Sequence, residues 1–215
     1  MTEHDLTLDD SVSTQPVSTL PVKNPPDCWM VIPAAGVGQR MGSSIPKQYL
    51  RFQSKTLLEW TLEQCVPIES ISHIWVAVSP EDTLIDALDT SAYQAKVSII
   101  RTGAASRFLT VLNTLKALQS SRNRRTQAPW VMVHDAVRPC IQPQQVTSLL
   151  AAAGADGALL AYPIQDTVKR LGVDLQVEQT LDRTDLWLAQ TPQLDWPTPS
   201  GATIGPHWTH FCWPG

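Results

Sequence analysis

The chain has 215 residues and a formal net charge of −4, long enough for one α/β domain with a substantial core. Its basic residues are scattered and outnumbered by acids, 16 to 20, which leaves no electrostatic footprint for nucleic acid. No apolar run approaches the ~20 residues that span a bilayer, and Cys28, Cys65, Cys140 and Cys212 lack paired metal-ligand spacing, which fits reduced thiols in a cytoplasmic protein.

Residues 1–26 are rich in Ser, Thr and Asp, carry no apolar signal core, and read as a disordered N-terminal extension. The first buried strand is Trp29 to Pro33. It enters a small-residue turn, Val31-Ile-Pro-Ala-Ala-Gly-Val-Gly-Gln-Arg-Met-Gly42, followed by Pro46-Lys47-Gln48. Backbone N–H groups in such a turn, with Arg40 and Lys47 close behind, suit a polyphosphate. Glycine at 36 and 38 permits backbone conformations and approach distances that a Cβ would forbid. Two common phosphate loops are excluded by spacing: Met41 stands where a dinucleotide fingerprint needs its third small residue, and Lys47 lacks the flanking Gly and Ser/Thr of a Walker A loop.

Helical spacing follows at Leu57, Leu58, Thr61, Leu62 and Cys65, then apolar strands at Ile74 to Val78 and Val97 to Ile100. Gly103-Ala-Ala-Ser-Arg107 leads into a helix through Phe108, Val111, Leu112, Leu115 and Leu118. Arg122, Arg124 and Arg125 form the one basic cluster and read as a solvated loop. Trp130 to Val133 is a further strand, and Asp135 and Arg138 at its end suit either a structural ion pair or contacts to anions. Pro143 opens a helix through Val146, Leu149, Leu150 and Ala153 that stops at Gly154, and Ala158 to Tyr162 is another strand. This alternation predicts a mostly parallel sheet with helices on both faces and ligands at the carboxyl ends of its strands. The loops after Pro33, around Arg107 and at His134 all fall on that edge.

Four segments, taken in order, resemble one family. They are the small-residue turn with Arg40 and Pro46-Lys47-Gln48, His134-Asp-Ala-Val-Arg-Pro139, Asp166-Thr-Val-Lys169, and Asp182-Arg183…Trp187…Thr191-Pro-Gln193. Together they are similar to the 2-C-methyl-D-erythritol 4-phosphate cytidylyltransferases of the non-mevalonate isoprenoid pathway, from about Cys28 to Gln193. The resemblance implies a Rossmann-like nucleotidyltransferase domain over residues 27–193. It also implies a projecting β-arm at 164–187 that pairs two subunits into a homodimer. The reaction implied is attack of a substrate phosphate oxygen on the α-phosphorus of CTP, with magnesium carried mainly by the CTP phosphates and pyrophosphate released.

By match to the family, Arg40 and Lys47 stabilise the pentavalent phosphorus. Pro33, Ala34, Ala35, Gly36 and Gly38 line the cytosine ring and phosphates, and Gly103, Arg107, Thr110 and Ala136 complete the nucleotide site. Asp135, Arg138, Thr167, Arg183 and Thr191 are the expected residues for methylerythritol phosphate, with Asp135 on the substrate hydroxyls or near the magnesium, and Arg183 acting catalytically in the partner's site. No protein metal site is implied. Gln39 stands where the family often has a second basic residue, and Thr110 replaces a serine while keeping its hydroxyl.

Beyond Gln193 the likeness ends. Residues 194–215 hold Trp196, Trp208, Trp213 and four prolines, with no Lys, Arg or Glu, and read as an aberrant tail from a frame change or truncation. The family's closing lysine segment has no counterpart, since no basic residue follows Arg183. Two alternatives remain: cytidylyl transfer to ribitol 5-phosphate or another polyol phosphate, and a CTP-binding protein without turnover.

Overall fold

A computed structural model describes residues 27–36, 45–121, 129–153 and 157–195. The expectations that fall on residues 1–26, on Gly38, Gln39 and Arg40, on the arginines at 122–125, on Gly154 and on the tail from Trp196 onward lie outside the described residues.

The sheet begins with β1 (Cys28–Pro33). A 3-10 turn (Lys47–Tyr49) follows, then the short pair β2 (Arg51–Phe52) and β3 (Lys55–Thr56), and helix α1 (Leu57–Cys65). Thr56 caps α1 through a reciprocal box with Glu59, which satisfies two of the donors that a helix start leaves open. Next come β4 (His73–Ala77), β5 (Val97–Ile100), α2 (Arg107–Ser121), β6 (Trp130–Val133) and α3 (Pro143–Ala152), the last opened by Pro143. The chain finishes with β7 (Ala158–Pro163), the hairpin β8 (Lys169–Leu171) and β9 (Val177–Thr180), and β10 (Trp187–Asp195).

Six strands form the sheet in the order β5-β4-β1-β6-β10-β7. β5, β4, β1 and β6 run parallel, with Val31 opposite both Trp75 and Val133. β10 enters antiparallel between β6 and β7. Side chains alternate across β1. Cys28, Met30 and Ile32 pack with Leu58 and Leu62 of α1 and Val146 and Leu149 of α3, whereas Val31 joins Val111 of α2, Val131 and Val133 on the opposite face. Helices therefore cover both faces, as the alternation predicts. Burial of each of these aliphatic side chains contributes about 1.5–3 kcal/mol.

The sheet takes in Leu194 and Asp195, opposite Met132 and Val131, and Leu194 is buried in the larger core. It thus runs two residues past the expected boundary at 193. The reason is the pairing with β6, which a reading of local periodicity does not see. Between β7 and β10 the chain forms an arm. Its base is closed by Ile164 N–H donating to Leu186 O (3.1 Å) and Leu181 N–H donating to Val168 O (2.9 Å). Every residue of β8 and β9 is exposed. Among the described residues, no helix is long and apolar enough to cross a membrane.

Candidate active site

Parallel strands leave their carboxyl ends on one edge of the sheet, where the loops that follow β1, β5 and β6 meet. The loop after β1 is fastened from below. Ala34 N–H donates to Ala77 O (2.7 Å), while the Gln48 side-chain amide donates to Ala34 O (2.6 Å) and Gly36 O (3.2 Å). Lys47, half-buried, occupies the same 3-10 turn as Gln48, and Tyr49 at the end of that turn donates its hydroxyl to Asp82 Oδ2 (2.6 Å).

The glycine that packing demands here is Gly103. A Cβ on it would stand 2.4 Å from Ala35 Cβ and 2.6 Å from Val78 O. Gly36 is different: it is exposed, its φ is not positive, and a Cβ there would meet nothing within 4 Å among the described residues. Of the two permissions a glycine gives at Gly36, an unusual backbone conformation is therefore not used, which leaves close approach from the open side of the loop. Its neighbours leave open space on that side of the loop.

The loop after β5 is held by Thr110, a buried residue whose Oγ1 accepts from Ala104 N–H (3.0 Å) and lies 3.4 Å from Ala104 O. The hydroxyl shared with the expected serine therefore shapes the loop at Gly103. Arg107 begins α2, and its Nε donates to Asp135 Oδ1 (3.1 Å). Arg107 Nη2 lies 3.1 Å from the same oxygen but without hydrogen-bond geometry, so among the described residues a buried N–H is left with capacity for an acceptor.

Asp135, 28% exposed, is shared by two guanidinium groups, because Arg138 Nε donates to its Oδ2 (2.9 Å). Arg138 Nη1 in turn donates to Gln190 Oε1. Two arginines around one carboxylate leave this edge locally positive. Asp135 N–H donates to Thr191 Oγ1 (3.3 Å), which brings β10 into the cluster at a break in its pairing with β7, where the Thr191–Pro192 bond is cis. Ala136 is buried, and its carbonyl accepts from Thr61 of α1 (3.0 Å).

His134, 1% exposed, lies beneath the cluster with Nε2 3.1 Å from Arg138 O. Burial holds its imidazole below the ordinary range, partly opposed by that backbone bond and by Asp135. Its Nδ1 has no hydrogen-bond partner among the described residues.

Ala34, Ala35, Gly36, Gly103, Arg107, Thr110, Asp135, Ala136, Arg138 and Thr191 thus share the carboxyl edge, reached from the end of β1 at Pro33. Thr167 and Arg183 are not joined to this cluster by any hydrogen bond or ion pair among the described residues. Both are exposed on the arm, where Arg183 donates to Gln165 O. Sequence reading assigned no role to Gln48, Gln190 or Thr61, whose parts rest on contacts across 12 to 75 residues of chain. The adjacency of Gln48 to Lys47 was its only local signal.

A mostly parallel α/β sheet, with a small-residue loop and a net-positive arginine cluster at its carboxyl edge, defines the class: a Rossmann-like protein built to hold phosphorylated ligands there. The sequence pattern of the family "IspD: 2-C-methyl-D-erythritol 4-phosphate cytidylyltransferase" matches residues 28–196, and the chain belongs to that family. A 2-C-methyl-D-erythritol 4-phosphate cytidylyltransferase of Mannheimia succiniciproducens is 44% identical over 163 residues, covering 76% of this chain and 68% of that relative. Another from Chromobacterium violaceum is 41% identical, covering 76% and 71%. Among solved structures, a 4-diphosphocytidyl-2C-methyl-D-erythritol synthase superposes with a TM-score of 0.67 at 35% identity, over 80% of this chain and 75% of that one. The Francisella tularensis cytidylyltransferase superposes with a TM-score of 0.60 at 31% identity, over 79% and 72%.

Proposed function

We propose that this chain transfers a cytidylyl group from CTP to 2-C-methyl-D-erythritol 4-phosphate, giving CDP-methylerythritol and pyrophosphate. The observation that carries the reading is the Arg107–Asp135–Arg138 cluster beside the loop 34–36, a surplus of positive charge where two anions must meet. Family membership supports it. The acceptor phosphate is already ionised, so no protein base is needed. One acceptor oxygen bonds to the α-phosphorus of CTP as the bond to the bridging oxygen of pyrophosphate breaks. The protein's part is to position both phosphates and neutralise the charge that builds on them.

In this reading Arg40 and Lys47 neutralise the reacting phosphate, and Ala34, Ala35, Gly36, Gly38, Gly103 and Ala136 bed the nucleotide against main chain. Arg107 and Thr110 complete the nucleotide's place, and Asp135, Arg138 and Thr191 bound the acceptor's place at the strand ends. Thr167 and Arg183 serve it from the arm of a partner subunit in a homodimer, a reading supported by the arm's exposed Leu171, Val173, Leu175 and Val177. Magnesium fits a site of this kind as an ion carried by the triphosphate. Asp135 is the carboxylate at the cluster, and both its oxygens already face arginines, which suits one additional contact better than a protein cage. When bound, the ion would neutralise phosphate charge.

The test is pyrophosphate release by the purified chain with CTP, magnesium and either methylerythritol 4-phosphate or ribitol 5-phosphate. Release that depends on methylerythritol 4-phosphate is expected. Release with ribitol 5-phosphate alone overturns the acceptor, and none from a folded preparation with either acceptor overturns the activity.

A further inference from the structure

Gln48 was singled out in the sequence only as a neighbour of Lys47, and the reaction above gives it no part. Its surroundings are unusual for a glutamine. The residue is 5% exposed, and its Nε2 carries two hydrogens that reach two carbonyls of one loop, Ala34 O at 2.6 Å and Gly36 O at 3.2 Å. Both donors of the amide group are thereby used, on acceptors twelve and fourteen residues away.

A trans peptide places its C=O and the following N–H on opposite sides. Anchoring Ala34 O to Gln48 therefore turns the Ala35 N–H away from the Gln48 side. The loop is fixed from two further directions, by Ala77 O accepting from Ala34 N–H (2.7 Å) and by Gly103 closing against Ala35. Among the described residues, a Cβ at Gly36 would meet nothing within 4 Å. The turn bearing Gln48 is fixed too, since Leu50 N–H donates to Lys47 O (3.1 Å) and the Tyr49 hydroxyl donates to Asp82 (2.6 Å). One buried amide thus ties the backbone of Lys47 to the loop.

We propose that Gln48 is a positioning residue that sets the register between the loop 34–36 and Lys47, so that the loop's backbone donors and the Lys47 ammonium meet the same triphosphate. This rests on the reading of the site as a CTP site and deepens it. Gln48 itself touches loop carbonyls and no reacting atom.

Two variants test it, Gln48→Met, which keeps length and removes both donors, and Gln48→Glu, which donates only when protonated. Each is assayed for pyrophosphate release against CTP concentration, for CTP binding by calorimetry, and for thermal unfolding. Gln48→Met is expected to stay folded and to raise the KM and Kd for CTP by about tenfold or more, with the KM for the acceptor changed much less. A folded Gln48→Met protein with wild-type CTP affinity and turnover overturns the proposal. If Gln48→Met does not fold, Gln48→Glu decides: its CTP affinity relative to wild type should recover as the pH is lowered through the carboxyl's titration, and a flat ratio overturns the proposal. If the wild-type chain binds CTP without releasing pyrophosphate, the catalytic reading fails alone and the calorimetric comparison still judges Gln48. If the wild type does not bind CTP, both fail.

Discussion

Gly103 and His134 show how single residues at the strand ends are constrained in different ways. Gly103 is limited by contact: its missing Cβ is what lets the loop after β5 lie against Ala35. Gly103→Ala must push one loop off the other, at a cost of about 1–3 kcal/mol. It should also raise the KM for CTP, which a denaturant titration and a CTP-dependent rate assay on one preparation would check. His134 is limited by solvation. Its folded-state pKa lies below its unfolded value near 6.5, so between the two the unfolded chain binds a proton that the native protein does not. Stability at this residue is therefore complete above about pH 6.5 and declines as the pH falls toward the lower folded value. His73, also lowered by burial, adds in the same sense. Urea unfolding from about pH 7 to 5 should lose less stability in His134→Gln than in wild type, and His73→Gln should shift it in the same direction. Equal slopes would refute the assignment to His134.

At the level of elements, α1 is pinned at both ends. Thr56 and Glu59 cap its start, and past its end the Lys96 ammonium donates to Val66 O and Ile68 O, each at 2.7 Å. Val66 O lies at the helix terminus, where open acceptors favour a cation, and Ile68 O accepts from Ile71 N–H (3.1 Å) as well. Desolvation lowers the Lys96 pKa, so the two bonds are made against a real cost of burial. Lys96→Met should lower the unfolding free energy by about 1–3 kcal/mol, read by denaturant titration, and a change within error would mean that water replaces the ammonium without loss. Most elements were legible because each announces itself locally. β1, β4, β5, β6 and β7 are apolar runs, and the three helices keep their spacing. β10 was not legible as a strand. Gln190, Thr191, Pro192 and Gln193 interrupt its apolar pattern, and it is a strand because β6 and β7 supply hydrogen bonds on both sides.

Across the whole molecule, the arm is the part that the single chain does not explain. A two-stranded hairpin is marginal on its own, yet this one exposes Leu171, Val173, Leu175 and Val177, with Trp187 and Leu188 exposed near its base. In the proposed homodimer, Arg183 of one copy serves the site that holds Lys47 of the other. Mixing Lys47→Ala and Arg183→Ala chains then assembles one intact site per mixed dimer. Roughly a quarter of wild-type activity should return after subunit exchange, and none should return if Arg183 serves its own subunit. By itself the sequence determined the chain's family and the α/β alternation, because motif spacing and apolar period are local properties. Tertiary structure alone decided that Asp135 lies between two arginines, that Gln48 holds the loop beside Lys47, and that β10 inserts antiparallel between β6 and β7. Apart from the local Asp135–Arg138 pair, those are contacts between segments separated along the chain, made by packing the loops at one sheet edge, and no local pattern encodes them.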